Sequence, residues 1–104
     1  MAKQTRATKT RRFGAKEKIL RDLCNTVNPI DLASAFWMVS PLGEHDFIVR
    51  VGRGETVVLA KTGLWRDSRV GMSGDNVLGM IAAYTAVTPA KLEQVVAKLR
   101  GKGS

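Results

Sequence analysis

Residues Asp75 to Leu99, DNVLGMIAAYTAVTPAKLEQVVAKL, decide the fold expected of this 104-residue chain. Their apolar side chains recur at the i, i+3, i+4, i+7 spacing of a buried helical face, so the stretch predicts two helices joined by a tight corner at residues 86–88. Thr88 suits the N-cap of the second helix, and Pro89 suits its first position, where a missing N–H removes no helical hydrogen bond. The predicted buried stripes are Val77, Met80, Ile81 and Tyr84 on the first helix, and Leu92, Val95, Val96 and Leu99 on the second.

Residues 78–98 resemble the helix-turn-helix of DNA-binding proteins. Ala82 stands in the place of the small residue of the first helix, and Val87 in that of the hydrophobic residue after the corner. Ala86 stands where that family usually has Gly, a difference that costs about 1 kcal/mol if the corner is left-handed. The resemblance implies that the outward positions of the second helix enter the major groove of DNA. Those positions include Thr88, Lys91, Gln94 and Lys98.

Side-chain chemistry gives each of these positions an expected role. Gln94 is suited to a bidentate contact with adenine, Lys91 to guanine or phosphate, and Lys98 to the phosphate backbone. The alternative is an ordinary α-hairpin that packs on a sheet, because the same spacing fits any two amphipathic helices joined by Thr-Pro.

Positive charge is concentrated at the N-terminus. The formal net charge is +8, and residues 1–22 hold +6 of it. Residues 1–14 contain no acidic residue and too little apolar surface to offset the entropy of ordering, so we expect them to form a disordered basic arm. Nucleic acid is the expected ligand, because such cations displace counterions from phosphates; a solubilising tail and an acidic protein partner are the alternatives. The cations of the arm are Lys3, Arg6, Lys9, Arg11 and Arg12.

Residues 15–100 are predicted to form a single α+β domain, with residues 101–104 as a tail. A first helix is expected over residues 15–27, with Ile19, Leu20, Leu23, Cys24 and Val27 as its apolar stripe. A second helix starts at Asn28-Pro29 and extends towards Val39, although its last four residues equally fit a strand. Residues 40–43, SPLG, are expected to break the chain.

A central antiparallel β-hairpin or small meander follows. Phe47–Val51 and Thr56–Lys61 are rich in branched side chains and are separated by Gly-Arg-Gly-Glu, which suits a tight turn. Arg53 at the tip either contacts phosphate, as the wing of a winged-helix protein does, or is merely solvated.

Residues 62–74 are expected to form a polar, Gly-rich connector. Trp65, Arg66 and Arg69 in it fit a stacking and phosphate platform; the alternative is that Trp65 covers the sheet while Arg66 pairs with Asp67 or Asp46. Ser73 or Asp75 is expected to cap the helix that follows.

Composition and spacing exclude several classes of protein. One cysteine allows no disulfide within the chain and fits a reducing compartment. No apolar run approaches the ~18 residues that span a bilayer, and the basic N-terminus lacks the apolar segment of a secretory signal, which favours the cytoplasm over a mitochondrial presequence. His45 is the single histidine, and no spacing in the sequence indicates catalysis, a metal site or a cofactor.

The sequence therefore predicts a small DNA-binding accessory or regulatory protein of bacterial or phage type, cytoplasmic and nucleoid-associated. An adaptor or inhibitor with its arm on an acidic partner and Phe36-Trp37-Met38 partly exposed is the alternative, and RNA binding is a third possibility. Many groove readers are dimers, so a homodimer is also considered.

Overall fold

The fold is α+β, with a five-stranded antiparallel sheet and helices packed on one of its faces. It is seen in a computed structural model that describes residues 13–103. The elements of this region are α1 Glu17–Cys24, α2 Pro29–Ser34, β1 Met38–Leu42, β2 Asp46–Gly52, β3 Glu55–Ala60, β4 Trp65–Asp67, β5 Met72–Gly74, α3 Val77–Tyr84 and α4 Pro89–Gly103.

The sheet is a meander in which each strand pairs with the next in sequence. The β2–β3 hairpin is confirmed: Val49 pairs with Val57 and faces the core, while Ile48 pairs with Val58 on the opposite face. Gly43 begins the β1–β2 turn and Gly54 ends the β2–β3 turn, with φ of +77° and +72°, a left-handed backbone that other residues rarely adopt.

Two strands replace the connector expected at residues 62–74. Trp65 pairs with Leu59 of β3 and with Gly74 of β5, and both Trp65 and Leu59 are buried. Strands of three residues are too short to show a period-two pattern, which is why the sequence did not reveal them.

The chain break expected at residues 40–43 is also wrong. α2 ends at Ser34, and β1 then runs through Pro41 to Leu42. Because β1 is an edge strand, Pro41 lies where a missing N–H need not disrupt the sheet.

Helix α1 buries less of its predicted stripe than expected. Leu20 and Cys24 are buried, but Ile19 is 63% exposed and is not part of the core. Only a narrow side of this eight-residue helix is buried against the core, and Ile19 lies outside that side. The core position predicted for Cys24 is confirmed, and burial raises the pKa of its thiol to about 11.

The cap predicted for α2 is confirmed, and that for α3 is corrected. Asn28 Oδ1 accepts hydrogen bonds from the Ile30 and Asp31 amides. At α3 the cap is Asn76, whose side chain accepts from the Leu78 amide. Ser73 lies in β5 instead.

Helix α3 forms the centre of the helical layer, since all but its last two residues are buried. It packs on β5 and on α1 and α2, while α4 packs on α1 and α2. Of the predicted α4 stripe, Leu92 and Val96 are fully buried and Val95 and Leu99 partly so. No helix in residues 13–103 has the length and apolar content needed to cross a membrane.

Most of the predicted arm, at residues 1–12, lies outside the described residues. Phe13, near its end, is buried in the core cluster. The predicted tail begins inside α4, which continues to Gly103.

Two neighbouring residues of α1 test this packing. Leu20→Ala should lower the free energy of unfolding by about 2–5 kcal/mol, because it leaves a cavity in the core. Ile19→Ala should change it by less than about 0.5 kcal/mol, because that side chain is largely in water. Urea unfolding of both variants measures the difference, and equal losses would contradict the placement of α1.

Candidate nucleic-acid interface

One face of α4 carries the side chains predicted to contact nucleic acid. Lys91, Gln94 and Lys98 follow one another at i, i+3 and i+7 and are all exposed. Thr88 is also exposed, and its Oγ1 accepts a hydrogen bond from the Lys91 amide at 3.2 Å. Thr88 therefore caps α4 as predicted, and Pro89 is the first helical residue.

The side chains of Lys91, Gln94 and Lys98 also line an open groove between α4 and α2. Its volume is about 850 Å³. Phe36, Val95 and Leu99 contribute apolar surface, and Asp31 and Ser34 of α2 contribute polar groups. Sequence reasoning missed this groove, because no sequence pattern indicates that α2 and α4 are neighbours.

The link between α3 and α4 is extended at its start. Thr85, at the C-cap of α3, has φ −136° and ψ 168°, and residues 85–88 have no regular secondary structure. The Thr85 hydroxyl donates to the Ile81 carbonyl and accepts from the Val87 amide, which fixes the direction of the link. Ala82 is buried and Val87 is partly buried, and both belong to the packing of the core.

The α4 face carries two lysines, and Asp31 of α2 lines the same groove. The first turn of α4 contains no acidic residue, so the positive end of the helix dipole is uncompensated there. No ion pair within residues 13–101 involves Lys91 or Lys98. These features suit the surface to an anionic ligand.

The other predicted nucleic-acid residues do not join this face. Arg53 is exposed at the tip of the β2–β3 turn, and Arg66 is exposed on the side of the sheet opposite Trp65. Lys3, Arg6, Lys9, Arg11 and Arg12 lie outside the described residues.

The Trp65–Arg66–Arg69 platform is wrong as a stacking surface. Trp65 is 3% exposed, and its indole N–H donates to the Asn76 carbonyl at 3.0 Å. Residues alternate across a strand, so Arg66 points to the face opposite Trp65. A buried indole presents no surface to a base.

Arg69 belongs to a polar network around the buried Asp67 instead of the platform. Its guanidinium donates to Asp67 Oδ2 at 2.7 Å and lies 4.0 Å from a carboxylate oxygen of Glu55. The Tyr84 hydroxyl also donates to Asp67 Oδ2, and the Arg69 amide donates to Oδ1. Asp67 is fully buried, so these donors compensate its lost hydration. The predicted partner of Asp67, Arg66, is thus replaced by Arg69.

No protein-family model, curated protein or solved structure matches this chain.

The single tyrosine of the chain reports on the network around Asp67. Burial, and then the hydrogen bond to the Asp67 carboxylate, raise the pKa of Tyr84 well above its ordinary value of 10. Because the folded state holds this proton more tightly than the unfolded state, the stabilisation is complete below pH 10 and is lost as pH rises beyond it. Ultraviolet difference spectroscopy of tyrosinate should show ionisation well above pH 10 in the folded protein; titration at the value of free tyrosine would contradict the network.

Proposed function

We propose that the protein binds nucleic acid, with duplex DNA favoured over RNA, as a small cytoplasmic, nucleoid-associated accessory or regulatory factor of bacterial or phage type. The observation that carries this proposal is the exposed face of α4, where Lys91, Gln94 and Lys98 lie together and neither lysine forms an ion pair with a described side chain of residues 13–101. The resemblance of residues 78–98 to a helix-turn-helix supports the same surface.

Affinity and selectivity come from different parts of the chain in this proposal. The five cations of residues 1–12, with no acidic residue among them, supply sequence-independent attraction to phosphates. Lys91 and Lys98 position α4 on the backbone, and Gln94 between them offers the donor and acceptor needed to recognise adenine. Arg53, Arg66 and Arg69 contribute less, because they lie away from this face or are already paired.

Salt dependence of binding tests the two contributions separately. For a random duplex, deletion of residues 1–12 should make the slope of log K against log salt shallower by about 4. The double variant Lys91→Gln/Lys98→Gln should make it shallower by about 2, because two phosphate contacts are lost. Fluorescence anisotropy at several salt concentrations measures both slopes.

Lys61→Gln is the matched control, since Lys61 is exposed in the turn that follows β3 and is not part of α4. It should leave the slope close to that of the natural sequence. A slope near zero for the full chain would exclude nucleic-acid binding through charge. Equal slopes for the control and the double variant would exclude α4 as the contact surface.

A second candidate function is a protein–protein adaptor or inhibitor whose basic arm docks on an acidic partner. The apolar lining of the α2–α4 groove favours it, as does the 71% exposure of Met38 beside the partly buried Phe36 and Trp37. Competition distinguishes the candidates: duplex DNA should displace a labelled duplex far better than polyglutamate of equal charge. If polyglutamate competes equally well, the adaptor is favoured, and if RNA competes better than duplex, RNA is the ligand.

A further inference from the structure

The outer face of the sheet is not covered by any element of residues 13–103. The helices share a core with inward side chains such as Val49, Val57 and Leu59, which are at most 1% exposed. The residues between them in each strand point to the other side. Within residues 13–103, that outer face therefore meets solvent.

This outer face carries large apolar side chains interspersed with polar and charged ones. Ile48 and Val58 lie side by side in register at its centre. Around them, Met38 is 71% exposed, Leu42 44% and Leu64 56%. An antiparallel sheet with one face in water normally carries polar residues there, and large apolar side chains exposed among them indicate an interaction surface.

The charges of β2 indicate which partner fits this outer face. Asp46, Ile48 and Arg50 are its outward residues, so the strand presents an acid, an apolar centre and a base in that order. No ion pair within residues 13–101 involves Asp46 or Arg50. When a second copy of this strand faces the first in the antiparallel direction, the acid of each copy lies opposite the base of the other. The strand is therefore complementary to itself.

We propose that the outer face of the sheet is a self-association surface on which two copies of the chain pack sheet against sheet. A two-fold axis between the two Ile48 residues sets the β2 strands antiparallel, with Asp46 of each copy opposite Arg50 of the other. The interface is isologous, as two-fold symmetry requires. Face-to-face sheets lie about 10 Å apart, a gap that an aspartate and an arginine span together.

Arg66 limits the strength of this interface. It lies in the same row as Ile48 and Val58, so the two-fold axis brings the two Arg66 residues towards each other. Aligned sheets cross at about 30°, which lets these long side chains diverge into water at the rim. Removing the charge with Arg66→Ser should therefore strengthen association.

The size of the face sets the expected affinity. Five strands of these lengths cover roughly 400 Å² at ordinary strand spacing, below the ~800 Å² per partner of a standard interface. The dimer should therefore be weak, with a dissociation constant in the micromolar range. Sedimentation equilibrium of the full chain, without nucleic acid, from low micromolar to submillimolar concentration covers this range. Its outcome is independent of any binding to DNA.

Charge reversal gives the sharpest test. Asp46→Arg and Arg50→Asp should each raise the dissociation constant by about tenfold or more, because each creates two like-charge contacts. The double variant should restore the natural affinity. An equimolar mixture of the two single variants should form a heterodimer tighter than either homodimer, since every contact in it pairs opposite charges.

Glu93→Lys is the matched control, because Glu93 is exposed on α4 and the reversal lies off the sheet. It should leave association unchanged, and urea unfolding of each variant shows that it folds. The proposal is overturned if the natural chain stays monomeric across the range. It is equally overturned if the mixed single variants associate no more tightly than each does alone.

Discussion

The contact of the Trp65 indole with two glycines holds the sheet and the helical layer together. A Cβ on Gly74 would lie 2.5 Å from Trp65 Nε1, and one on Gly79 would lie 3.1 Å from Cζ2, so both backbones reach the ring only because they are glycines. The indole N–H donates to the Asn76 carbonyl, directly before α3. One side chain of β4 therefore fixes both β5 and the start of α3. The position of α3 in turn determines where the link to α4 begins.

The sequence predicted those elements that have a long periodic pattern of apolar residues or a strong signal for the start of a helix. The β2–β3 hairpin, the Asn28 cap and the Thr88-Pro89 start of α4 were all predicted. Strands β4 and β5 were missed because their residues are ordered by Trp65 and not by local periodicity. Burial of Asp67 was missed because its donors, Arg69 and Tyr84, meet it through tertiary packing.

For the candidate site, the sequence predicted which residues of α4 face outward but not what lies beside them. Lys91, Gln94 and Lys98 follow from helical spacing, whereas the groove beside them depends on the packing of α2. Arg66 and Arg69 are close in sequence, yet strand alternation and the buried Asp67 assign them to different surroundings. The helical layer thus carries the proposed contacts with nucleic acid, and the opposite face of the sheet carries the proposed contacts with a second copy. Because the two surfaces lie on opposite sides of the sheet, a ligand on one leaves the other free to bind its own partner.

The most direct test of this account compares alanine at two glycines that each end a strand. In Gly74→Ala the new Cβ meets the buried indole, and we expect the free energy of unfolding to fall by about 1–3 kcal/mol. In Gly52→Ala it meets the carboxylate of Glu55, an exposed and flexible side chain, and we expect a change within about 0.5 kcal/mol. Urea unfolding of the two variants should separate them clearly. Equal stability of the two would contradict the central place given to Trp65.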